Sequence, residues 1–248
     1  MCPKILLVQF RYNEQHRALE RESISRELGN SVEVECCSAL DQSLPWHEPV
    51  LLLSPYAGII FGGSGDFDFD GGRDESDSAR QGSESLLEQL QPLCTYIFAT
   101  DFPTLGICFG HQLLGAYAGA IVRCDEKQRK SRSHMVQVVA PHETKLLAGV
   151  PGSFHAHYGH KDSLDRIPNG AILLIHGGDA CQVSALQYGH NIYTTQFHPE
   201  LTLADMYKRR ELLPGYLPEG VQVDEIFISD THSNTILLNF ACLVNEQR

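Results

Sequence analysis

Strand-length apolar runs recur at residues 5–10, 32–36, 58–61 and 104–107, and several are apolar throughout rather than alternating. Strands buried on both faces read this way, so parallel strands covered by helices are expected. Helical spacing fills the intervals. Residues 13–28 carry Leu19, Ile24 and Leu28 among charges and stop at Gly29-Asn30, a good end signal. Residues 83–93 start at Ser83, an N-cap candidate, and place Leu86, Leu87 and Leu90 at helical spacing. Residues 110–118 form a third candidate. This alternation predicts an α/β fold with a doubly wound, mostly parallel sheet and flanking helices.

After Arg123 the pattern changes. Residues 135–139, 172–175, 183–188 and 192–196 are short strand candidates with few helices between them. They form either a second, partly antiparallel layer or the far half of the same sheet. Tyr188-Gly189-His190-Asn191 reads as the hairpin turn joining the last two. Residues 233–246, with Ile236, Leu237, Phe240, Leu243 and Val244, read as an amphipathic closing helix. No internal repeat and no linker divides the chain, so residues 1–248 are expected to form a single domain. Residues 62–82 are rich in Gly, Asp and Ser and read as a surface loop of about 20 residues, a length usually reserved for function or disorder.

Composition narrows the function. The 248 residues are 42% hydrophobic and 20% charged, with net charge −12. That charge argues against nucleic acid as the main partner, because phosphate binding needs a basic face. Lys127, Arg129, Lys130 and Arg132 are the nearest thing to one and read as a solvated loop or strand edge. No apolar run approaches the roughly 20 residues of a membrane span. The N-terminus lacks a cleavage pattern and reads as a buried strand; the scattered cysteines read as mostly reduced thiols of a cytoplasmic protein. The eight cysteines include no CxxC pair, and all except Cys108 are expected to be small buried hydrophobes. Glu14, Glu20, Glu22 and Glu27 read as the wet face of the first helix. Asp66, Asp68, Asp70 and Asp74 lack the glycine positions and closing Glu of a calcium loop and read as a solvated acidic loop. His155, His157 and His160 lack a completing carboxylate or thiol, so no metal is expected, and no cofactor.

The chemistry concentrates at Gly106-Ile107-Cys108-Phe109-Gly110-His111-Gln112. An apolar strand ends in Gly, a cysteine follows, then Gly again, then a helical pattern. This is a sharp strand-to-helix turn with a nucleophile at its tip, flanked by glycines because neighbouring Cβ atoms would clash. The following helix aims free N–H groups and a positive dipole end at the sulfur. Far downstream, His198-Pro199-Glu200 offers a base and a carboxylate to orient it, two apart on one side of an extended segment. A buried cysteine alone, or a strand-end histidine alone, would be structural; together with Glu200 they read as a triad. The Phe109 N–H, just after the nucleophile, is an oxyanion-hole candidate. Gln112, one turn beyond Cys108, suits a helix surface and a pocket equally well.

Gly106-x-Cys108-x-Gly110-x-Gln112 with His198-Pro199-Glu200 resembles the class I (triad-type) glutamine amidotransferases, such as the glutaminase part of GMP synthetase, over most of the chain. The resemblance implies flavodoxin-like layers. It implies that Cys108 attacks the side-chain amide of glutamine to give a γ-glutamyl thioester and ammonia. His198 then exchanges the protons, and Glu200 orients the imidazole. Gly63, in the turn Gly62-Gly63-Ser64-Gly65, becomes the second oxyanion donor. The family commonly has Gly-Gly-Pro there, so Ser64-Gly65-Asp66 and the acidic loop are departures. Gln112 is implied to help hold glutamine. His160 and Asp162, in a His-x-Asp-like segment, are implied to line the pocket, with Asp162 meeting the α-amino group.

The expected function is thus a free-standing amide hydrolase that releases ammonia to an acceptor or synthase partner subunit, since no synthetase domain follows residue 200 within this sequence. Two alternatives stand beside it. One is a γ-glutamyl hydrolase or peptidase acting on another γ-glutamyl amide; the other is a regulatory module of the same fold without turnover. A cysteine peptidase or chaperone-like relative of the wider cysteine-elbow group is disfavoured by the His-Pro-Glu segment.

Overall fold

The apolar runs become the centre of one sheet. β1 (Lys4–Gln9), β3 (Gly58–Phe61) and β4 (Thr104–Ile107) are buried along almost their whole length, while β2 (Glu33–Ser38) is the half-exposed edge. The computed structural model describes residues 2–128, 130–140, 144–212, 217 and 220–246. In it these strands pair in parallel in the order β2-β1-β3-β4, and β11 (Ile192–Thr195) continues the parallel set beyond β4. β10 (Ala185–Tyr188), β9 (Ala171–His176), β6 (Lys130–Val138) and β7 (Ser153–His160) then add antiparallel strands, giving nine in all. The later strands are therefore the far half of the same sheet. The hairpin accounts for this. Tyr188 pairs with Ile192, Gly189 turns at φ +57°, and the Asp101 carboxylate accepts the N–H groups of His190 and Asn191 at 3.1 Å. Strands joined by so tight a turn must share a sheet. β5 (Val122–Cys124) and β8 (Asp162–Leu164) form a separate two-stranded ladder.

Alternate residues of β1 feed two cores, Ile5 and Leu7 on one face and Leu6 and Val8 on the other. The first face is covered by α1 (Glu14–Leu28) and α7 (Thr235–Glu246), the second by α3 (Ser78–Thr100) and α4 (Phe109–Tyr117). Asn13 caps α1 by accepting the N–H groups of Gln15 and His16, and Gly29 ends it at φ +72°. Glu20 departs from expectation: it lies one turn before Ile24 on the inner face of α1 and is 1% exposed.

α3 is also longer than its pattern predicts. Its cap is Asp77, whose carboxylate accepts the Ala79 N–H at 2.9 Å. Ser83 is instead buried inside the helix, with its hydroxyl 2.9 Å from the Asp68 carbonyl. Pro92 lies inside the helix on its exposed face, where water can satisfy the carbonyl it leaves unpaired.

Three further helices carried no clear signal: α2 (Pro49–Leu53), α5 (Leu203–Leu212) and α6 (Val223–Ile226). The last two close over a small core of their own, Leu201, Met206, Leu217, Val223 and Phe227. The cysteines also differ from expectation. Cys94 and Cys181 are buried with Cys108, but Cys2, Cys36 and Cys242 are exposed and Cys37 and Cys124 half-buried. Of the basic cluster, Lys130 and Arg132 belong to β6, and Arg129 lies outside the described residues.

Candidate active site

Gly106 and Gly110 decide where Cys108 can sit. A Cβ on Gly106 would lie 2.7 Å from the Gly110 carbonyl oxygen, and one on Gly110 only 2.3 Å from the Phe61 carbonyl oxygen. Strands β3 and β4 and helix α4 meet this closely only because both positions are glycine. Between them Cys108 adopts φ +52°, ψ −97°. Among the described residues only Asp101 is another non-glycine with positive φ, so backbone strain is concentrated at the elbow. Hydrogen bonds hold it there. The Cys108 N–H donates to the Thr195 carbonyl at 2.7 Å, and the Gly110 N–H donates to the Gly62 carbonyl at 3.1 Å. The Phe109 N–H opens α4 and belongs to the helix amides that lack an intrahelical acceptor.

His198 follows the end of β11, where its N–H donates to the His157 carbonyl at 2.9 Å. Its Nδ1 lies 2.7 Å from Oε1 of Glu200, which is almost fully buried. His198 Cε1 and Cys108 Cβ are 3.1 and 3.6 Å from the point a Cβ on Gly63 would occupy, so ring, sulfur-bearing carbon and glycine turn share one small space. Burial opposes a charge on His198, but the Glu200 carboxylate and the Cys108 sulfur overcome it and push the imidazole up to about 10. Burial likewise opposes the Glu200 charge, yet His198 and the Arg209 guanidinium from α5 hold its carboxyl below the usual range. The arrangement can keep a proton on the imidazole beside the sulfur and pass it to a leaving group.

The raised imidazole also ties stability to pH. The folded value of about 10 lies above the ordinary 6.5, so the folded state binds the His198 proton more tightly than the unfolded chain. The contribution is complete below the unfolded value and is lost as pH rises through the folded one. Between pH 7 and pH 10, Tm should therefore fall more in the wild type than in His198→Asn, measured by scanning calorimetry. Equal falls would show that His198 is uncharged in the folded state.

The other predicted residues also gather here, but mostly engaged with one another. Buried Gln196 donates from Nε2 to the Cys108 sulfur at 3.7 Å. Gln112 Nε2 donates to the Asp162 carbonyl at 2.9 Å and the Gln196 Oε1 at 3.2 Å. His160 Nδ1 lies 2.9 Å from the same Asp162 carbonyl. The two Asp162 carboxylate oxygens accept the Asp70 and Gly71 N–H groups at 2.9 and 2.6 Å, which fastens the acidic loop.

That loop is not simply solvated. Asp66 accepts the Tyr12 N–H, Asp68 accepts Lys161 and Arg73, and Asp70 accepts the Cys124 N–H, all at 2.8–2.9 Å. Phe67 and Phe69 pack on Phe109 with ring centres 6.1 and 5.4 Å apart. The Phe–Asp alternation over residues 66–70 was the available signal. The Gly63 N–H donates to Glu20 Oε1 at 2.9 Å, a partner the sequence pattern gave no reason to expect. Among the described residues no group of three His, Cys, Asp or Glu could hold a metal ion, and no helix is long and apolar enough to cross a membrane.

Comparison with known proteins identifies the family. Residues 21–209 match the model of the family glutamine amidotransferase class-I. The chain is 39% identical over 101 residues to a glutamine-hydrolyzing GMP synthase subunit of Methanocaldococcus jannaschii, a match that covers 40% of this chain and 51% of that one. It is 30% identical over 157 residues to the corresponding GMP synthase subunit of Sulfurisphaera tokodaii, covering 62% and 72%. The chain spans about half the length of the first of these relatives. Among solved structures, a glutamine amidotransferase from Thermotoga maritima superposes with TM-score 0.70 at 16% identity, covering 98% of this chain and 97% of that one. One from Methylobacillus flagellatus gives 0.66 at 15%, covering 99% and 95%. These two share the fold, while the family match spans most of the sequence around Cys108 and His198, and the chain belongs to the class I glutamine amidotransferases.

Proposed function

We propose that this chain hydrolyses the side-chain amide of glutamine and that the ammonia passes to a synthase partner. The observation that carries the reading is the glycine-flanked, positive-φ Cys108 sharing one space with a His198 that Glu200 holds at 2.7 Å. Cys108 attacks the amide carbon as the thiolate, its proton residing on His198. The carbon–sulfur bond forms and the carbonyl electron pair moves to oxygen, where the Phe109 N–H donates to the developing charge. As the carbonyl re-forms, His198 gives its proton to the nitrogen, the carbon–nitrogen bond breaks and ammonia leaves. Water then attacks the thioester, His198 takes its proton, and glutamate and the free sulfur result. In this reading Gln112, His160 and Asp162 hold the glutamine, with Gln196 beside the sulfur, and Asp162 also fastens the acidic loop through the Asp70 and Gly71 N–H groups.

A partner is supported by the relatives named as one subunit of a GMP synthase, a designation that presupposes another. The direct test is intact-mass labelling with 6-diazo-5-oxo-norleucine and peptide mapping. One adduct on Cys108, suppressed by excess glutamine, is expected. An adduct elsewhere, or none while iodoacetamide still reaches Cys108, would refute a glutamine pocket at this cysteine.

A further inference from the structure

Two ionisable side chains that the triad mechanism does not use lie buried beside it. Arg11 is 7% exposed and Glu20 1%. Arg11 Nε is 3.3 Å from Glu20 Oε1, and Gln9 Nε2 donates to Glu20 Oε2 at 3.0 Å. The same Oε1 accepts the Gly63 N–H at 2.9 Å. Arg11 Nη2 reaches the catalytic space itself, 3.3 Å from the point that also lies 3.1 Å from His198 Cε1 and 3.6 Å from Cys108 Cβ. Both residues precede position 21, where the family match begins.

An oxyanion hole needs a donor free to strengthen its bond as charge develops. The Gly63 N–H is not free, and the carboxylate it serves would repel a second anion beside it. A guanidinium held at the same place supplies donors and a full positive charge. We infer that Arg11, positioned by Glu20 and Gln9, stabilises the oxyanion formed at Cys108 in place of the Gly63 N–H. The inference rests on the amide-hydrolysis reading. It adds no step to it: when the carbon–sulfur bond forms, the carbonyl electron pair moves to an oxygen facing Arg11 and the Phe109 N–H, and it returns when ammonia leaves. Burying an ion pair this deeply costs desolvation that packing alone would not justify, which fits a pair kept for its place in the site.

The test compares wild type, Arg11→Gln, Arg11→Lys and Glu20→Gln on glutamine and on γ-glutamyl-p-nitroanilide. Arg11→Gln should lower kcat about 10²–10³-fold, the usual loss for one oxyanion donor, with KM within a few-fold. It should weaken inhibition by glutamate γ-semialdehyde, whose adduct carries the oxyanion, by a similar factor. Alkylation of Cys108 by iodoacetamide, which forms no oxyanion, should stay within a few-fold. Arg11→Lys should recover part of kcat, and Glu20→Gln should lose less than Arg11→Gln. Unchanged kcat in Arg11→Gln would overturn the inference. So would an equal loss of alkylation, which would place Arg11 in sulfur activation or folding. A wild type that cleaves the anilide but not glutamine would sink the glutaminase reading, and the Arg11 comparison would then be read on the anilide.

Discussion

Cys108→Ser should abolish measurable glutamine hydrolysis, with a loss of about 10⁵-fold or more, in line with removing the nucleophile of a coupled triad. The protein should still fold, with Tm within a few degrees of wild type, because serine differs by one atom and inherits the same elbow. The reason for so large a loss lies in the attacking atom. Glu200 and the Cys108 sulfur together push the His198 imidazole up to about 10, and serine removes the sulfur's share of that shift. A serine hydroxyl gives up its proton far less readily than a thiol and is the weaker nucleophile at neutral pH, so the same imidazole and carboxylate do not make up the loss. Ammonia release and calorimetry on the same preparation decide the matter. Activity within tenfold of wild type would exclude a thioester intermediate. His198→Ala should lose nearly as much, and Glu200→Gln roughly 10²-fold less, since an orienting carboxylate contributes less than the group that moves the proton.

What the sequence disclosed and what it hid follow from range. The elbow is local: Gly106, Cys108 and Gly110 are near neighbours, and the clash that demands glycine arises within that span and against the adjacent strand. His198 and Glu200 are likewise a two-residue unit, and the chemistry of Cys, His and Glu links them across the fold. The parallel strands announced themselves because burial on both faces leaves no polar alternation.

Glu20 illustrates the opposite case. A glutamate among glutamates on a charged helix reads as solvent-facing, and only the register of α1 against β1 and the turn after β3 puts this one inward. Its partner Arg11 falls in a connection with no pattern at all. Gln196 was hidden beside the motif it serves. The acidic loop was misjudged by counting aspartates, when the two phenylalanines between them set its position against Phe109 and left the carboxylates facing Tyr12, Lys161, Arg73 and Cys124. Ser83 lost its capping role to Asp77 because helical spacing shows where a helix is apolar, not where it begins.

Gly110→Ala should be the most damaging change in the site that alters no chemical group. The new Cβ would sit 2.3 Å from the Phe61 carbonyl oxygen and 2.7 Å from the Phe61 Cβ, at the end of β3. Neither can swing aside as a flexible side-chain end could, so α4 must move off the sheet by roughly an ångström, a displacement that can cost 10²-fold in rate when it misplaces a reacting atom. That movement stretches the Gly110 N–H bond to the Gly62 carbonyl, now 3.1 Å. It thereby shifts Cys108 relative to both the Gly63 turn and His198. Overpacking of this kind costs about 3 kcal/mol, which for a chain of this length lowers Tm by about 6–12 °C. Glutaminase activity should fall at least about 10²-fold in the fraction that remains folded. Gly152→Ala is the matched control: nothing lies within 4 Å of its Cβ position and its φ is not in the left-handed region, so its Tm and activity should match wild type. If Gly110→Ala behaved like Gly152→Ala, the close approach of β3 and α4 would not be what fixes the nucleophile, and the strained conformation of Cys108 would need another cause.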